Sequence, residues 1–302
     1  MKIQYLKHNQ IDFVKWDDCI SKSLNGIVYA YSWYLAIVAG EWDAIVGDDY
    51  VVVFPLVKKR KFGVSYVYQP LFTQQLGAFS TGKIDKQTLE LFIGSIPSKY
   101  KYQEINLNTF NRLDSTNLKI YNRVTYQLDL VQTYFVLSSS YNENTRRNIS
   151  KAIALGVNVN KSSSVEEFID FQKKNLPVSL PVIEYEKLRQ IIQYSLQNKI
   201  GEIYASYTAQ NVLCAVAFFV KSNGKVIYLS AASSELGKKN RAMFALVDRF
   251  IDSNSESFLT LDFEGSNIEN IARFYDGFGA KPSIYQRIVI NNLPWYLKPF
   301  KK

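Results

Sequence analysis

The spacing of apolar positions in the first part of the chain predicts two helices followed by a set of antiparallel strands. Phe13, Trp16 and Ile20 recur at helical intervals, so we expect a helix over about residues 10–22. A second helix is expected to start after Ser32 and to end at Gly40. The following runs predict strands at 42–46, 50–57 and 64–68, a helix at 85–95, and strands at 102–108 and 123–130.

The second part of the chain repeats this order of elements. A serine-rich passage at 134–141 makes a suitable domain link, and Ser164 with Glu167 forms a capping box before a further helix. Later runs predict strands at 202–208, 212–220 and 225–230, a helix at 242–253, a strand at 258–264, a helix at 267–277 and a strand at 285–290. The repetition predicts an α/β protein of the α+β type. Its two domains, 1–133 and 134–302, would each be a mostly antiparallel mixed sheet flanked by helices.

Two carboxylates lie where the strand at 258–264 gives way to a helix. Side chains alternate along a strand, so Asp262 and Glu264 are expected on one face and Leu261 and Phe263 on the other. A carboxylate at such a strand end is well placed to accept a proton from an attacking amine. The same pair would also suit a solvated polar face, and the spacing leaves both interpretations open.

A tyrosine near the end of the following helix is the second candidate for chemistry. Ser266 and Glu269 form a capping box for this helix, and Gly279 can adopt the left-handed conformation that ends a helix. Tyr275 lies close to the C-terminal end, and a phenol with a reference pKa of about 10 is a better acid than base. Proton donation to a leaving group and simple packing are both compatible with this position.

Small side chains follow one strand of the second part, and a basic loop comes after them. A ligand could approach the backbone of this strand closely at Ser230, Ala231 and Ala232. The loop precedes a helix N-terminus, where backbone amides favour a phosphate group. We therefore expect cofactor contacts from this strand and from the loop, although a solvated basic loop fits the same residues. The loop candidates are Gly237, Lys238, Lys239 and Arg241.

The scarcity of histidine and cysteine excludes several kinds of catalytic and metal-binding site. The 302 residues include a single histidine, His8, and two cysteines, Cys19 and Cys214. These numbers argue against a Ser-His-Asp triad, a Cys-His pair, a histidine-rich metal centre and a disulfide framework, so no metal is expected. Cys214 stands in an apolar run, where a small buried thiol is the ordinary role.

The charge balance points to an anionic partner. A formal charge of +9 suits a phosphate-bearing cofactor, a nucleotide sugar, RNA or an acidic membrane surface, although solubility alone would also account for it. The densest basic run, residues 58–61, suits a solvated hairpin turn or a phosphate or RNA contact. The chain shows no apolar signal region and no stretch long enough to span a bilayer, so we expect a cytoplasmic protein.

The element order of the second part resembles the GNAT acyltransferase superfamily. The segment Tyr275-Asp276-Gly277-Phe278-Gly279 is similar to that family's Tyr-x-x-x-Gly element. The resemblance implies that Tyr275 protonates the departing thiolate of coenzyme A. It also implies that the strand at 226–233 pairs with the pantetheine arm and that residues 237–241 hold the pyrophosphate, which makes acyl-CoA a candidate donor.

The duplicated order covers nearly the whole chain and resembles the tandem-domain branch of Fem-type, peptidoglycan-bridge aminoacyltransferases. Residues 145–152 look like that branch's Arg-Arg-x-Ile-x-Lys-Ala element, and residues 69–80 look like its Pro-Phe-x-Gln-x-Leu-Gly loop. The loop is expected to line a cleft. The resemblance implies substrate contacts from Arg146, Arg147, Gln69, Phe72, Gln74 and Gln75.

Together these features predict an N-acyltransferase whose first domain supplies an acceptor-binding surface and whose second domain holds the reaction centre. The enzyme would move an acyl or aminoacyl group from an anionic donor, acyl-CoA or aminoacyl-tRNA, to an amine acceptor, with a cell-wall precursor among the candidates. Donor, acceptor and oligomeric state stay open. The alternatives are a non-catalytic binding module on the same fold and an RNA-binding protein that uses residues 58–61 and 146–151.

Overall fold

The computed structural model describes residues 1–114, 118–265 and 268–298. The chain divides into two compact units: the first contains Met1–Val124 and Ile284–Lys302, and the second contains Thr125–Ser283. This division differs from the predicted domains 1–133 and 134–302 in two places, the boundary between the units and the last segment of the chain. The first unit ends earlier than expected, and the last segment of the chain returns to it because its strand pairs with a strand of that unit.

Both units contain helices and strands. The strands of the described residues are β1 Ile3–Leu6, β2 Trp42–Gly47, β3 Val52–Lys61, β4 Val64–Val67, β5 Phe79–Ser80, β6 Tyr100–Asn106, β7 Lys119–Asp129, β8 Asn158–Ser162, β9 Gly201–Tyr207, β10 Leu213–Ser222, β11 Lys225–Ser233, β12 Thr260–Asp262 and β13 Lys281–Asn291. The α-helices are α1 Phe13–Lys22, α2 Ser32–Ala39, α3 Lys86–Gly94, α4 Tyr134–Ser139, α5 Glu143–Ala154, α6 Val165–Asn175, α7 Val182–Gln197, α8 Glu235–Lys239, α9 Ala242–Asn254 and α10 Glu269–Asp276.

In the first unit the strands follow the order β1-β2-β3-β4-β6-β13, with β5 paired to β3 and the first half of β7 next to β13. β4 and β6 pair in parallel, whereas the pairs β1–β2, β2–β3, β3–β4, β3–β5 and β6–β13 are antiparallel. The core includes α3, whose Phe92 lies against Phe54 with ring centroids 6.4 Å apart. Ile105 and Ile288 belong to the same buried cluster, which ties the returning strand β13 into this unit.

The basic run at 58–61 is the end of β3 and pairs with β4, so the predicted turn is wrong for these residues. The turn is confined to Phe62 and Gly63, which have positive φ values of 50° and 76°. β3 extends this far because β4 supplies backbone partners for its amides and carbonyls. At the base of the run, Lys58 forms an ion pair with the buried carboxylate of Asp43.

In the second unit the strands follow the order β8-β9-β10-β11-β12, followed by the second half of β7. Only β11 and β12 are parallel among these pairs. Phe219 of β10 stacks on Phe250 of α9 with ring centroids 3.7 Å apart, and its neighbour Phe218 meets Phe168 of α6. Because adjacent strand residues point to opposite faces, α9 and α6 cover the two sides of this sheet.

The serine-rich passage predicted as a domain link is helical. It forms α4, whose start is capped by the Thr133 hydroxyl. Leu137 is buried, and Tyr141 packs edge-on against Phe278 with ring centroids 5.2 Å apart. The passage is therefore anchored in the core of the second unit, and its serines lie mainly on the exposed side of a short helix.

Several predicted helix ends are confirmed by their caps. The Ser164 hydroxyl accepts a hydrogen bond from the Glu167 amide at 3.2 Å, and Gly40 ends α2 with a φ of 70°. Gly279 has the predicted left-handed conformation, with a φ of 82°, and a Cβ there would lie 2.6 Å from the Ser140 hydroxyl oxygen. The cap predicted at Ser266 falls outside the described residues.

Candidate active-site cleft

A cleft of about 890 Å³ opens in the second unit beside the end of β11. Its walls come from β11, the residues after α6, the junction of α8 and α9, the loop after β12, and α10. The lining residues are 175–177, 228–233, Gly237, Lys238, Arg241, Met243, Phe244, 263–265, Asn270, Ile271, Phe274 and Tyr275. The volume lies within the range of roughly 300–1,000 Å³ that small-molecule sites occupy.

The strand edge that borders the cleft is open. β11 and β12 are paired only over residues 225–227 and 260–262, and beyond them no strand of the described part of the chain pairs with this edge of β11. On the opposite edge, the ladder between β11 and β10 contains a bulge in which Leu229 is the extra residue. Residues 228–233 can therefore offer backbone amides and carbonyls to an extended ligand.

Tyr275 is carried into the cleft by α10 and is held by other aromatic rings. It stacks on Phe263 with ring centroids 4.8 Å apart and meets the edge of Tyr228 at 6.2 Å. Tyr126 lies at 6.1 Å from it. Within the described ranges the Tyr275 hydroxyl has no hydrogen-bond partner, so a fixed phenol is available to whatever occupies the cleft.

Burial raises the pKa of Tyr275 above its ordinary value, and the negative charges of Glu264 and Asp262 raise it further. At neutral pH the phenol keeps its proton, so it can act as an acid toward a leaving group. Burial also raises the pKa of Tyr228, but the hydroxyl of Tyr228 donates to the Met243 sulfur at 3.1 Å. Of these two phenols, Tyr275 is the one whose hydroxyl is not already engaged.

The two predicted carboxylates do not share a strand face. β12 ends at Asp262, and Glu264 has a left-handed backbone with a φ of 55°, so strand alternation does not extend to it. Glu264 lines the cleft, whereas Asp262 is only 1% exposed and lies outside the lining. The prediction of a shared face is wrong because the strand is shorter than the apolar pattern suggested.

Asp262 is held by three hydrogen-bond donors. It accepts from the Thr125 hydroxyl, from the Gln127 side-chain amide at 2.8 Å and from the Glu264 backbone amide at 2.9 Å. Burial raises the pKa of Asp262, although these donors and the charge of Lys225 oppose the shift. One of these contacts joins Asp262 to the loop that carries Glu264.

The glycine of the predicted phosphate loop is used for packing. Gly237 is buried, and a Cβ at this position would lie 2.0 Å from the Cys214 carbonyl oxygen. Its amide donates to the Ser234 hydroxyl at 3.1 Å, which caps the short helix α8. The expectation that the Gly237 amide binds a phosphate is therefore corrected, since that amide already has a partner.

The junction of α8 and α9 still presents positive groups to the cleft. Arg241 has a left-handed backbone with a φ of 58°, and its buried Nε has no hydrogen-bond partner in the described part of the chain. The amides of Ala242 and Met243 follow it at the start of α9, whereas the Phe244 amide already donates to the Arg241 carbonyl at 3.0 Å. Lys238 lines the cleft but pairs with Glu235 at 2.6 Å, and Lys239 is exposed outside the lining.

The small residues Ser230, Ala231 and Ala232 line the cleft. A further polar contact was not predicted: Gln172 of α6 is completely buried and donates to the Ser230 hydroxyl oxygen at 3.0 Å. Because that oxygen accepts from Gln172, the Ser230 proton can be directed to a ligand. The only sequence signal was a polar residue on the apolar face of an amphipathic helix.

The predicted glutamines of the loop at 69–80 make hydrogen bonds within the loop, to β6 and to the residues after β6. Gln69 donates to a loop carbonyl at 2.6 Å and accepts from a β6 amide at 3.1 Å. Gln75 donates to Gln74 at 2.6 Å and accepts from the Thr109 amide at 3.2 Å. Phe72 has a left-handed backbone with a φ of 59°. These polar groups make an irregular segment stable by satisfying its buried backbone.

Arg146 and Arg147 lie on α5, away from the lining of the cleft. Arg147 donates to the Asn144 side chain at 3.3 Å. Arg146 donates to the Ser139 carbonyl at 3.3 Å and lines a separate hollow of about 320 Å³ with residues of α4 and α9. The second unit therefore does not bring either arginine to Tyr275.

In the part of the chain that the structure describes, no group of three or more histidine, cysteine, aspartate or glutamate side chains could hold a metal ion. Both cysteines are buried and free. No helix in the same ranges is long and apolar enough to cross a membrane.

The fold, with mixed sheets in two units and a cleft where two parallel strands separate, is GNAT-like. The fold is Fem-like: the chain is similar to FemX, with a TM-score of 0.67 and 15% identity over 99% of each chain. A conserved protein of unknown function from Bacteroides thetaiotaomicron has a TM-score of 0.60 and 12% identity, over 92% of this chain and 97% of that one. A tandem GNAT protein from the clavulanic acid biosynthesis pathway has a TM-score of 0.53 and 8% identity, over 97% and 99%. No protein-family model and no curated protein matches the chain.

Proposed function

We propose that the second unit is the acyl-transfer centre of an N-acyltransferase. The observation that carries the proposal is the setting of Tyr275, a protonated phenol held by aromatic rings with its hydroxyl available in a cleft beside an open strand edge. Acyl transfer to an amine needs donors for the carbonyl oxygen, a proton acceptor for the amine and a proton donor for the leaving group. The cleft offers a residue for each of these three tasks.

In the proposed reaction, the acceptor amine attacks the carbonyl carbon of a thioester or aminoacyl ester and forms the C–N bond. Backbone amides of residues 230–232 and the Ser230 hydroxyl would stabilise the oxyanion. Glu264 would take the proton that the amine loses. As the bond to sulfur or oxygen breaks, the leaving group would take the proton of Tyr275, which is then restored from solvent.

The donor is expected to carry phosphate groups. The Arg241 guanidinium and the first amides of α9 suit a phosphate, and the open edge of β11 suits an extended arm joined to it. Acyl-CoA and aminoacyl-tRNA both meet this description, and we propose these two donor classes for testing. The acceptor is an amine, with a cell-wall precursor as one candidate, for which the first unit would provide the binding surface.

The test is a screen of acyl-CoA donors against amines by release of free thiol, with a parallel arm that follows transfer of labelled amino acid from aminoacyl-tRNA. In whichever arm is active, Tyr275→Phe should lower turnover at least about tenfold, or about 1.4 kcal/mol. Tyr228→Phe is the matched control, because it removes a neighbouring phenol that is already engaged with Met243.

Unchanged turnover in Tyr275→Phe would remove the residue from the mechanism. Ligand-dependent thermal stabilisation without transfer in either arm would instead support a non-catalytic binding module. Both variants should keep the wild-type melting temperature within a few degrees, which separates a lost proton donor from a lost fold.

A further inference from the structure

The first unit carries its own groove, of about 540 Å³, on one face of the strands β6, β13 and β7. Arg287 of β13 lies opposite Asn106 of β6, and Val289 lies opposite Glu104, so these side chains share that face. Every second residue of the first half of β7 lines the same groove, including Arg123. We call this feature the β13 groove.

The β13 groove carries a positive charge that is only partly neutralised. Among the described residues its one carboxylate, that of Glu104, is paired with Arg287 at 3.3 Å and accepts from the Tyr102 hydroxyl at 2.9 Å. Three further cations line the groove and have no carboxylate partner within the described residues: Lys119, Arg123 and Lys298. The groove therefore favours an anionic ligand.

The buried Nε of Arg123 indicates which kind of anion the groove would bind. Its Nε is buried and lacks a hydrogen-bond acceptor in the described part of the chain. A buried N–H without an acceptor has lost its water and gained nothing in return, which is uncommon in native structures. A phosphate oxygen would satisfy this N–H, and a guanidinium can bind a phosphate through two parallel hydrogen bonds.

Two exposed aromatic rings border the same cations. Tyr121 is 47% exposed and Trp295 is 82% exposed, although both line the groove. Trp295 belongs to a short turn in which the Leu297 amide donates to the Pro294 carbonyl at 2.9 Å. Leu297 lines an adjoining apolar hollow, so the turn is anchored on one side and presents its tryptophan to the groove on the other.

We propose that the β13 groove binds a nucleotide, with its phosphates on Arg123, Lys119 and Lys298 and its base against Tyr121 or Trp295. Cations account for the phosphates, and exposed rings account for a base, since stacking tolerates any base. A volume of 540 Å³ is within the usual range for small-molecule sites, roughly 300–1,000 Å³. The inference goes beyond the proposed acyl transfer and does not rest on it, because the groove belongs to the first unit and its test measures binding alone.

The test is isothermal titration of the full-length protein with ADP and UDP, compared with the nucleosides, pyrophosphate, a nucleotide sugar and a short single-stranded RNA. ADP or UDP should bind with one site, at least about tenfold more tightly than either the nucleoside or pyrophosphate. Arg123→Gln should weaken binding about tenfold or more, because it removes a charge-assisted contact. Lys119→Gln, at an exposed position, should weaken binding in the same direction and provides the test if Arg123→Gln disturbs the fold.

Arg249→Gln is the matched control, since Arg249 is an exposed arginine of the second unit that pairs with Asp252, and it should bind like the wild type. Tyr275→Phe should also leave nucleotide affinity unchanged, which keeps this inference separate from the catalytic proposal. Tighter binding of the nucleotide sugar than of UDP would support the site and extend it to a nucleotide-linked substrate.

Four results would overturn the inference. These are no binding of ADP or UDP at millimolar concentration, equal affinity for pyrophosphate, unchanged affinity when Tyr121 and Trp295 are both replaced by leucine, and tighter, steeply salt-dependent binding of the RNA that Arg123→Gln abolishes. The second result indicates a plain anion site, the third excludes base stacking, and the fourth indicates an RNA site.

Discussion

Replacement of Asp262 by asparagine separates a positioning role from a catalytic one at the cleft. The buried carboxylate accepts from the Thr125 hydroxyl, the Gln127 amide and the Glu264 backbone amide. Asparagine keeps one oxygen, which can still accept from Thr125 and from Glu264. Its amino group would face the amino group of Gln127 unless the Gln127 amide turns over and presents its oxygen.

The size of the effect follows from these three contacts. A hydrogen bond to a charged group contributes about 1.5–3 kcal/mol and a neutral one about 0.5–1.5 kcal/mol. Replacing three charged hydrogen bonds by three neutral ones therefore removes roughly 3 kcal/mol of stabilisation. Relief from burying a charge, the effect that raises the pKa of Asp262, offsets part of this loss. We expect Asp262→Asn to lower the free energy of unfolding by about 1–2 kcal/mol. Asp262→Ala, which leaves the donors without an acceptor, should cost about 3–5 kcal/mol.

The measurement combines urea unfolding with turnover in the active transfer assay. If Asp262 only fixes the loop, Asp262→Asn should retain turnover within about tenfold, whereas Glu264→Gln should lose about a hundredfold or more, as expected for a proton acceptor. A normal unfolding free energy with a loss of more than about a hundredfold in Asp262→Asn would refute the positioning role. Unchanged stability in both Asp262 variants would refute the hydrogen-bond network itself.

Two further predictions concern the stability of each unit. Gly237→Ala should lower the free energy of unfolding by about 1–3 kcal/mol, because its Cβ would lie 2.0 Å from the Cys214 carbonyl oxygen. Gly82→Ala, where nothing lies within 4 Å, is the control in urea titrations, and equal effects would contradict the packing argument. Burial opposes ionisation of Asp43, but Lys58 and the neighbouring tyrosine hydroxyls outweigh it and hold the pKa of Asp43 below its ordinary value. The folded pKa thus lies below the unfolded one of about 3.9, so this carboxylate contributes stability that is present above about pH 4 and is lost as pH falls through the folded pKa. Wild type and Asp43→Asn should therefore differ in unfolding free energy near neutral pH and converge in acid; a gap independent of pH would contradict the assignment.

The order of helices and strands could be predicted because it depends on the spacing of apolar residues within short windows. Pairing between distant strands could not, since periodicity shows which face of β13 is buried but not which strand it joins. The sequence pattern therefore assigned the last strand to the second domain, whereas Ile288 is buried in the core of the first unit. The same limit explains why the basic run at 58–61 was predicted as a turn: its partner strand decides how far β3 extends.

At the candidate site, the positions of Tyr275 and Gly279 were easier to predict than the contacts and burial of the other site residues. Tyr275 and Gly279 follow from a local motif, and both have the expected positions on the helix and after it. The separate settings of Asp262 and Glu264 depend on one left-handed residue that no alternation rule would indicate. The buried contact from Gln172 to Ser230 joins α6 to β11 and has no local signature.

The corrected role of Gly237 limits how a phosphate could be held in the cleft. A glycine-rich loop binds phosphate through several backbone amides, but here the one glycine is pressed against Cys214 and its amide is bound by Ser234. What remains is the Arg241 guanidinium and the first amides of α9. A left-handed backbone costs a non-glycine residue about 1–2 kcal/mol. Arg241 has this conformation, and its buried Nε–H finds no acceptor among the described residues. Since a bound anion would relieve the second of these costs, we infer that donor recognition in this cleft depends on one arginine and a helix N-terminus rather than on a loop of amides.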